Sequence, residues 1–191
     1  MTTLATERLV LRPMLPDDAE AYAAIRWHPA VARWLPTVAG DPLEGARAAI
    51  ERFSEGWRQR RHAPWGVFRD GRLIGHGGLN FVPEFIETEV LWALHPDAWG
   101  QGYATEVARA ALAFGFETLD LRTIFAITLP DNRASQAVMK RIGLSYRRRV
   151  AYKGYSDIVW YDMSREAWKP ARESRMLVRV EAGTTGSADS S

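Results

Sequence analysis

Three sets of residues in this 191-residue chain have types and spacing that can do chemistry. The first is Gly100-Gln101-Gly102, which runs directly into Tyr103-Ala104-Thr105-Glu106 and an alanine-rich stretch. Two glycines around one residue, placed before a helical pattern, describe a tight loop feeding a helix N-terminus. The free N–H groups and dipole of such a terminus hold an anion such as a pyrophosphate. The same spacing also serves an ordinary strand-to-helix turn that uses glycine only for its φ freedom. The second set is Glu89, which opens the apolar run Val90 to Leu94, with Glu87 two residues earlier on the same strand face. Apolar neighbours raise a carboxyl pKa toward the range of a general base. The third is Asn132 with Ser135 at the start of another helical stretch. Asn132 there is a ligand contact or an N-cap, and Ser135 a proton donor or an exposed helix hydroxyl.

Two known phosphate cradles compete for the glycine loop. Gly100-x-Gly102-x-x-Thr105, with Asp120 twenty residues past Gly100, approaches the dinucleotide fingerprint. In that fingerprint the glycines follow their strand directly, whereas His95-Pro96-Asp97-Ala98-Trp99 intervenes here, and the loop lies mid-chain. A Walker loop is excluded because no Gly-Lys-Ser/Thr occurs. The stretch Trp99-Gly100-Gln101-Gly102-Tyr103-Ala104 resembles the acetyl-coenzyme A signature of the GNAT superfamily of N-acetyltransferases, Gln/Arg-x-x-Gly-x-Gly/Ala, with tryptophan at the first position. Glu89 through Glu106 is similar to the branch that contains the ribosomal-protein-alanine acetyltransferases, and weaker similarity runs from about Thr6 to Trp168.

The resemblance implies a single GNAT-like α/β (α+β) domain, with a mixed, largely antiparallel sheet whose middle strands splay to admit the cofactor. It implies acetyl transfer from acetyl-coenzyme A to a primary amine, on a protein N-terminus, an amino acid or another small molecule, by direct transfer in a ternary complex. The backbone of Gly100, Gln101, Gly102, Tyr103, Ala104 and Thr105 would anchor the pyrophosphate. Trp92, Ala93 and Leu94 would pair with the pantetheine arm, and Asn132 would contact it. Many relatives carry a tyrosine seven residues past that asparagine as the leaving-group acid. Met139 stands there in this chain, which leaves Ser135 as the substitute, and Glu89 is the expected base. The alternative is a non-catalytic module of the same fold that binds coenzyme A or a partner protein.

Composition narrows the rest. Hydrophobic residues are 47% and charged residues 25%, as in ordinary globular domains, and no run approaches the ~20 apolar residues of a membrane span. The amino-terminal residues, with Glu7 and Arg8, do not read as a secretory signal, so a cytoplasmic location is expected. The absence of cysteine removes disulfides and acyl-cysteine chemistry. His28, His62, His76 and His95 show no metal-ligand spacing, and no metal is expected. A net charge of +2 is no nucleic-acid signature, and the chain is expected as a monomer or homodimer.

The positioning elements follow from periodicity. Strands are expected over Arg8–Met14, Trp65–Phe68, Arg72–Phe81, Ile86–Leu94, Ile124–Leu129, Tyr146–Tyr152 and Ile158–Met163. Asp70-Gly71 marks a hairpin, and Gly75, Gly77 and Gly78 a bulge or close backbone approach. Helices are expected from Pro16, around Val31–Leu35, from Asp41 as N-cap through Trp57, from Gly102 to Phe116, and from Asp131 to Gly143. Trp27, Trp34, Phe53 and Trp57 either face the acceptor or pack in the core. Residues 1–169 form the domain, and 170–191, without apolar period, are expected to be a flexible tail.

Overall fold

A computed structural model describes residues 2–169 and, for the backbone alone, 177–180. Its strands are β1 (Thr2–Ala5), β2 (Val10–Arg12), β3 (Pro64–Arg69), β4 (Arg72–Val82), β5 (Glu87–Leu94), β6 (Thr123–Thr128), β7 (Ser145–Tyr152), β8 (Tyr155–Ser164) and β9 (Leu177–Val180). They form one sheet in the order β7-β8-β6-β5-β4-β3-β2-β1-β9. The helices are α1 (Ala19–Arg26), α2 (Pro29–Ala32), α3 (Pro42–Arg60), α4 (Tyr103–Ala113) and α5 (Arg133–Arg141). No described helix is long and apolar enough to cross a membrane.

Local chemistry explains the connections. Asp70 and Gly71 both have positive φ, 50° and 76°, the combination a two-residue turn needs to match strand twist, and they join β3 to β4. Lys153 and Gly154, at 47° and 84°, do the same between β7 and β8. Asp41 caps α3 by accepting the Glu44 N–H at 2.9 Å. A Cβ on Gly77 would stand 2.6 Å from Val107 Cγ1, so glycine there lets α4 lie directly on the sheet.

That face of the sheet carries the larger core. Val107, Ala108, Ala111 and Leu112 of α4 are fully buried against Leu79 and Val90. A π-turn over Phe114–Thr118 extends the helix and buries Phe114 and Phe116. Each such phenylalanine stabilises the fold by roughly 1.5–3 kcal/mol. The opposite face of β4 presents His76 to Tyr22 of α1 and Phe53 of α3, with ring centroids 5.3 and 6.2 Å away. α1 and α3 close a second core there through Ile25, Ala46 and Ile50.

Every neighbouring pair of strands is antiparallel except β5–β6. Those two pair in parallel at Thr88–Ile124 and Glu89–Phe125 and at no further position. β5 continues along β4 as far as Leu94, and β6 continues along β8 as far as Thr128. The two strands therefore part just beyond Glu89, and a wedge opens in the middle of the sheet.

Two sequence expectations need correction. The first strand is shorter than Arg8–Met14, and Thr2–Ala5 forms an unforeseen strand beside it. The expected tail from residue 170 is interrupted by Leu177–Val180, which pairs antiparallel with Thr2–Ala5. Backbone pairing on an open sheet edge needs no apolar period, which is why periodicity missed it. The remaining tail residues lie outside the described ones.

Candidate functional site

The wedge opens into a cavity of about 2330 Å³ that runs from the glycine loop to the tip of the β7–β8 hairpin. At one end stands the loop. Gly100 and Gly102 have φ of +74° and +82°, a conformation costly for other residues, and Gly102 is the N-cap of α4. The first bond of the helix is from the Glu106 N–H to the Gly102 carbonyl at 3.1 Å. The N–H groups of Gly100, Gln101, Gly102, Tyr103 and Ala104 have no partner among the described residues. Gly100, Gly102, Tyr103 and Ala104 line the cavity, and a Cβ on Gly100 would meet nothing within 4 Å. Five free N–H groups, a helix dipole and open space form an anion cradle and suit a pyrophosphate.

Side chains lock the cradle from behind. Arg8 donates to the Gln101 carbonyl at 2.9 Å and pairs with Glu106 at 2.6 Å. Arg8 and Arg69 stack over the Tyr103 ring at 4.6 and 5.2 Å. Arg141 donates to the Thr105 hydroxyl at 3.3 Å, so that side chain is engaged while its backbone stays at the helix mouth. Trp99 donates from Nε1 to the Leu94 carbonyl at 2.8 Å and holds the strand end against the loop.

Between cradle and hairpin, Trp92, Ala93 and Leu94 line the wedge on the β5 side. Past Glu89 their edge has no strand partner toward β6, which leaves backbone groups for an extended ligand. On the other side Asn132 caps α5, its Oδ1 accepting the Ser135 N–H at 3.1 Å. Asn132 and Ser135 both line the cavity, so the capping geometry coexists with access to it. Met139 is fully buried.

Glu89 sits where the strands part. It lies opposite Asn80 on β4 and faces Phe125 across the last β5–β6 pair. Burial pushes its pKa up to about 8, against the opposing pull of Lys153 and of the Asn80 amide beside it. Glu87 is also raised, by burial and by Asp162, but it does not line the cavity. The arrangement can accept a proton from a group in the wedge at mildly alkaline pH.

Beyond Glu89 the cavity is walled by α1, α3 and the β7–β8 tip. Trp27, Trp34 and Phe53 line it, whereas Trp57 packs against Trp65 and Phe114 in the core. Sequence reasoning missed Asn80, Tyr22, Arg26, His76 and Lys153 here. Only Asn80 carried a signal: extending the hairpin register across the turn after Val82 places it opposite Glu89.

Comparison with known proteins accords with this geometry. Residues 8–145 match the family described as "Acetyltransferase (GNAT) domain". The chain is 30% identical over 162 residues to YoaA, an uncharacterized N-acetyltransferase of Bacillus subtilis (strain 168), covering 83% of this chain and 92% of that one. It is similar to the crystal structure of an acetyltransferase from Agrobacterium tumefaciens str. C58, at 31% identity and a TM-score of 0.74 over 84% of this chain and 93% of that one. The fold is also that of Mycobacterium smegmatis RimJ in complex with CoA-disulfide, at 21% identity and a TM-score of 0.70, covering 87% and 88% of the two chains.

Proposed function

The chain belongs to the GNAT acetyltransferase family, and on that premise we propose that it moves an acetyl group from acetyl-coenzyme A to a primary amine by direct attack in a ternary complex. The observation that carries this reading is the position of Glu89, a half-buried carboxyl at the fork of β5 and β6, on the same strand that leads to the anion cradle.

The unpartnered N–H groups from Gly100 to Ala104 bind the pyrophosphate. The open edge from Trp92 to Leu94 orients the pantetheine arm, and a backbone N–H there stabilises the oxyanion that forms as the thioester carbonyl is attacked. Glu89, directly or through one water, takes the proton of the incoming ammonium and frees the nitrogen lone pair. Ser135 donates a proton to the departing thiolate as the carbon–sulfur bond breaks, and takes back the second proton of the attacking nitrogen, so that the neutral amide and free thiol leave. The acceptor is a protein N-terminus or a small-molecule amine.

The test is thiol release from acetyl-coenzyme A in the presence of an amine panel, with coenzyme A stabilisation measured alongside. Amine-dependent thiol release supports transfer. Stabilisation without release on any amine would make the chain a binding module instead.

A further inference from the structure

The acceptor half of the cavity has an unbalanced charge. Arg26 of α1, Arg33 after α2 and Arg52 of α3 line it, and Lys153 joins them from the hairpin tip. Among the described residues, Glu89 is the one carboxylate that lines it from the elements building this half, α1, α3, β4, β5 and the β7–β8 tip. The Arg8 guanidinium farther along is already paired with Glu106.

Arg26 is the informative member. It is half-buried and makes a single hydrogen bond among the described residues, from Nη2 to the Pro36 carbonyl at 2.6 Å. The ionisable groups acting on it are the phenols of Tyr22 and Tyr155, neither of them a carboxylate. A partly desolvated guanidinium is normally matched by an anion, because an unmatched buried charge is costly. Its planar fork of donors fits a carboxylate in two-point fashion. Around it the wall is aromatic: Tyr22 and Phe53 flank His76, and Trp27 lies under the guanidinium at 5.1 Å. His76 cannot supply the counter-charge, and burial together with Arg26 keeps it neutral.

Four cations beside one largely protonated carboxyl repel an acceptor whose only charge is its ammonium. An acceptor that carries its own anion removes that repulsion and gives Arg26 the partner it lacks. We propose that the acceptor is a small amine bearing a carboxylate, such as an amino acid or short peptide with an apolar or aromatic body, with the amine at Glu89 and the carboxylate held by Arg26 with support from Arg52. This deepens the acetyltransferase reading and rests on it. Strand geometry gives the scale: His76, on which the Arg26 charge acts, and Asn80, opposite Glu89, are four residues apart on β4, about 13 Å along the strand.

The experiment compares matched pairs that differ only in the carboxylate. These are phenylalanine against phenylalaninamide, and a free-acid dipeptide and tripeptide against their C-terminal amides, each assayed by thiol release. The parent should prefer the acid of at least one pair by about 10–100-fold in kcat/KM, the usual range for a charge-assisted hydrogen bond. In Arg26→Gln that acid-to-amide ratio should collapse toward unity through KM rather than kcat. Arg52→Gln should give the same change to a smaller degree, and it covers the case in which Arg26→Gln does not fold. Amides used as well as acids throughout, or a ratio untouched in both variants, overturn the proposal while leaving acetyl transfer intact. Thiol release on none of the amines, with simple alkylamines included, overturns the acetyltransferase reading and this inference with it.

Discussion

Replacing Glu89 with glutamine should stabilise the protein, and the gain should depend on pH. Burial holds the folded carboxyl protonated up to about pH 8, against an ordinary value of 4.5. Between those two values the folded chain binds one more proton than the unfolded chain. Stability from this group is therefore fully present below 4.5 and is lost as pH rises to 8. At pH 7 the chain stands 2.5 units above 4.5, which at about 1.36 kcal/mol per unit is a penalty of roughly 3.4 kcal/mol. The cavity side of the carboxyl is open to water, which lowers the expected figure to about 1–3 kcal/mol. For a chain of this size each kcal/mol shifts the melting temperature by about 2–4 °C, so Glu89→Gln should melt about 2–12 °C higher at neutral pH. Glutamine keeps the shape and the Asn80 partner but cannot ionise. Melting curves of parent and variant at about pH 5 and about pH 8 read this directly. The two should nearly coincide at the acid end and diverge at the alkaline end. A difference independent of pH, or a variant that is less stable at pH 8, refutes the reasoning.

Gly102→Glu puts a side chain and a negative charge at the cradle. The parent should gain ~2.7 kcal/mol from acetyl-coenzyme A at a hundredfold excess over Kd, seen as a higher melting temperature, and the variant should gain almost none. Asn132→Ala removes the cap of α5 and should cost about 1 kcal/mol by chemical denaturation. Ser135→Ala should leave that midpoint near the parent's but lower kcat if the hydroxyl protonates the thiolate. Ending the chain at Lys169 removes the strand that pairs with Thr2–Ala5, and the melting temperature should fall by an amount equivalent to about 1–3 kcal/mol, whereas an unchanged value would show the pairing contributes nothing.

The elements that position the site were legible because their signals are local. Asp70-Gly71 specifies a turn, the alanines after Gly102 specify a helix face, and Asp41 specifies a cap. The cradle glycines could be read because positive φ and free N–H groups are written in residue type and order. The wedge was implied by family resemblance alone, since no residue pattern states where two parallel strands stop pairing. Trp57 turned into the core although its spacing matched that of Phe53, because helical spacing gives a face and not its neighbour. The acceptor wall was least legible: Arg26, His76 and Lys153 lie on three elements far apart in sequence, and only the fold brings them to one chamber.

The central claim is that Glu89 takes the proton from an amine attacking acetyl-coenzyme A. The most direct measurement is the pH profile of kcat/KM for the best acceptor in the panel, for the parent beside Glu89→Gln. The parent should rise through an inflection near 8, the value to which burial pushes this carboxyl. The variant should be slower by about 10²–10⁴ and should lose that inflection, with cofactor affinity nearly unchanged. A variant with the parent's rate and the parent's inflection would contradict the account.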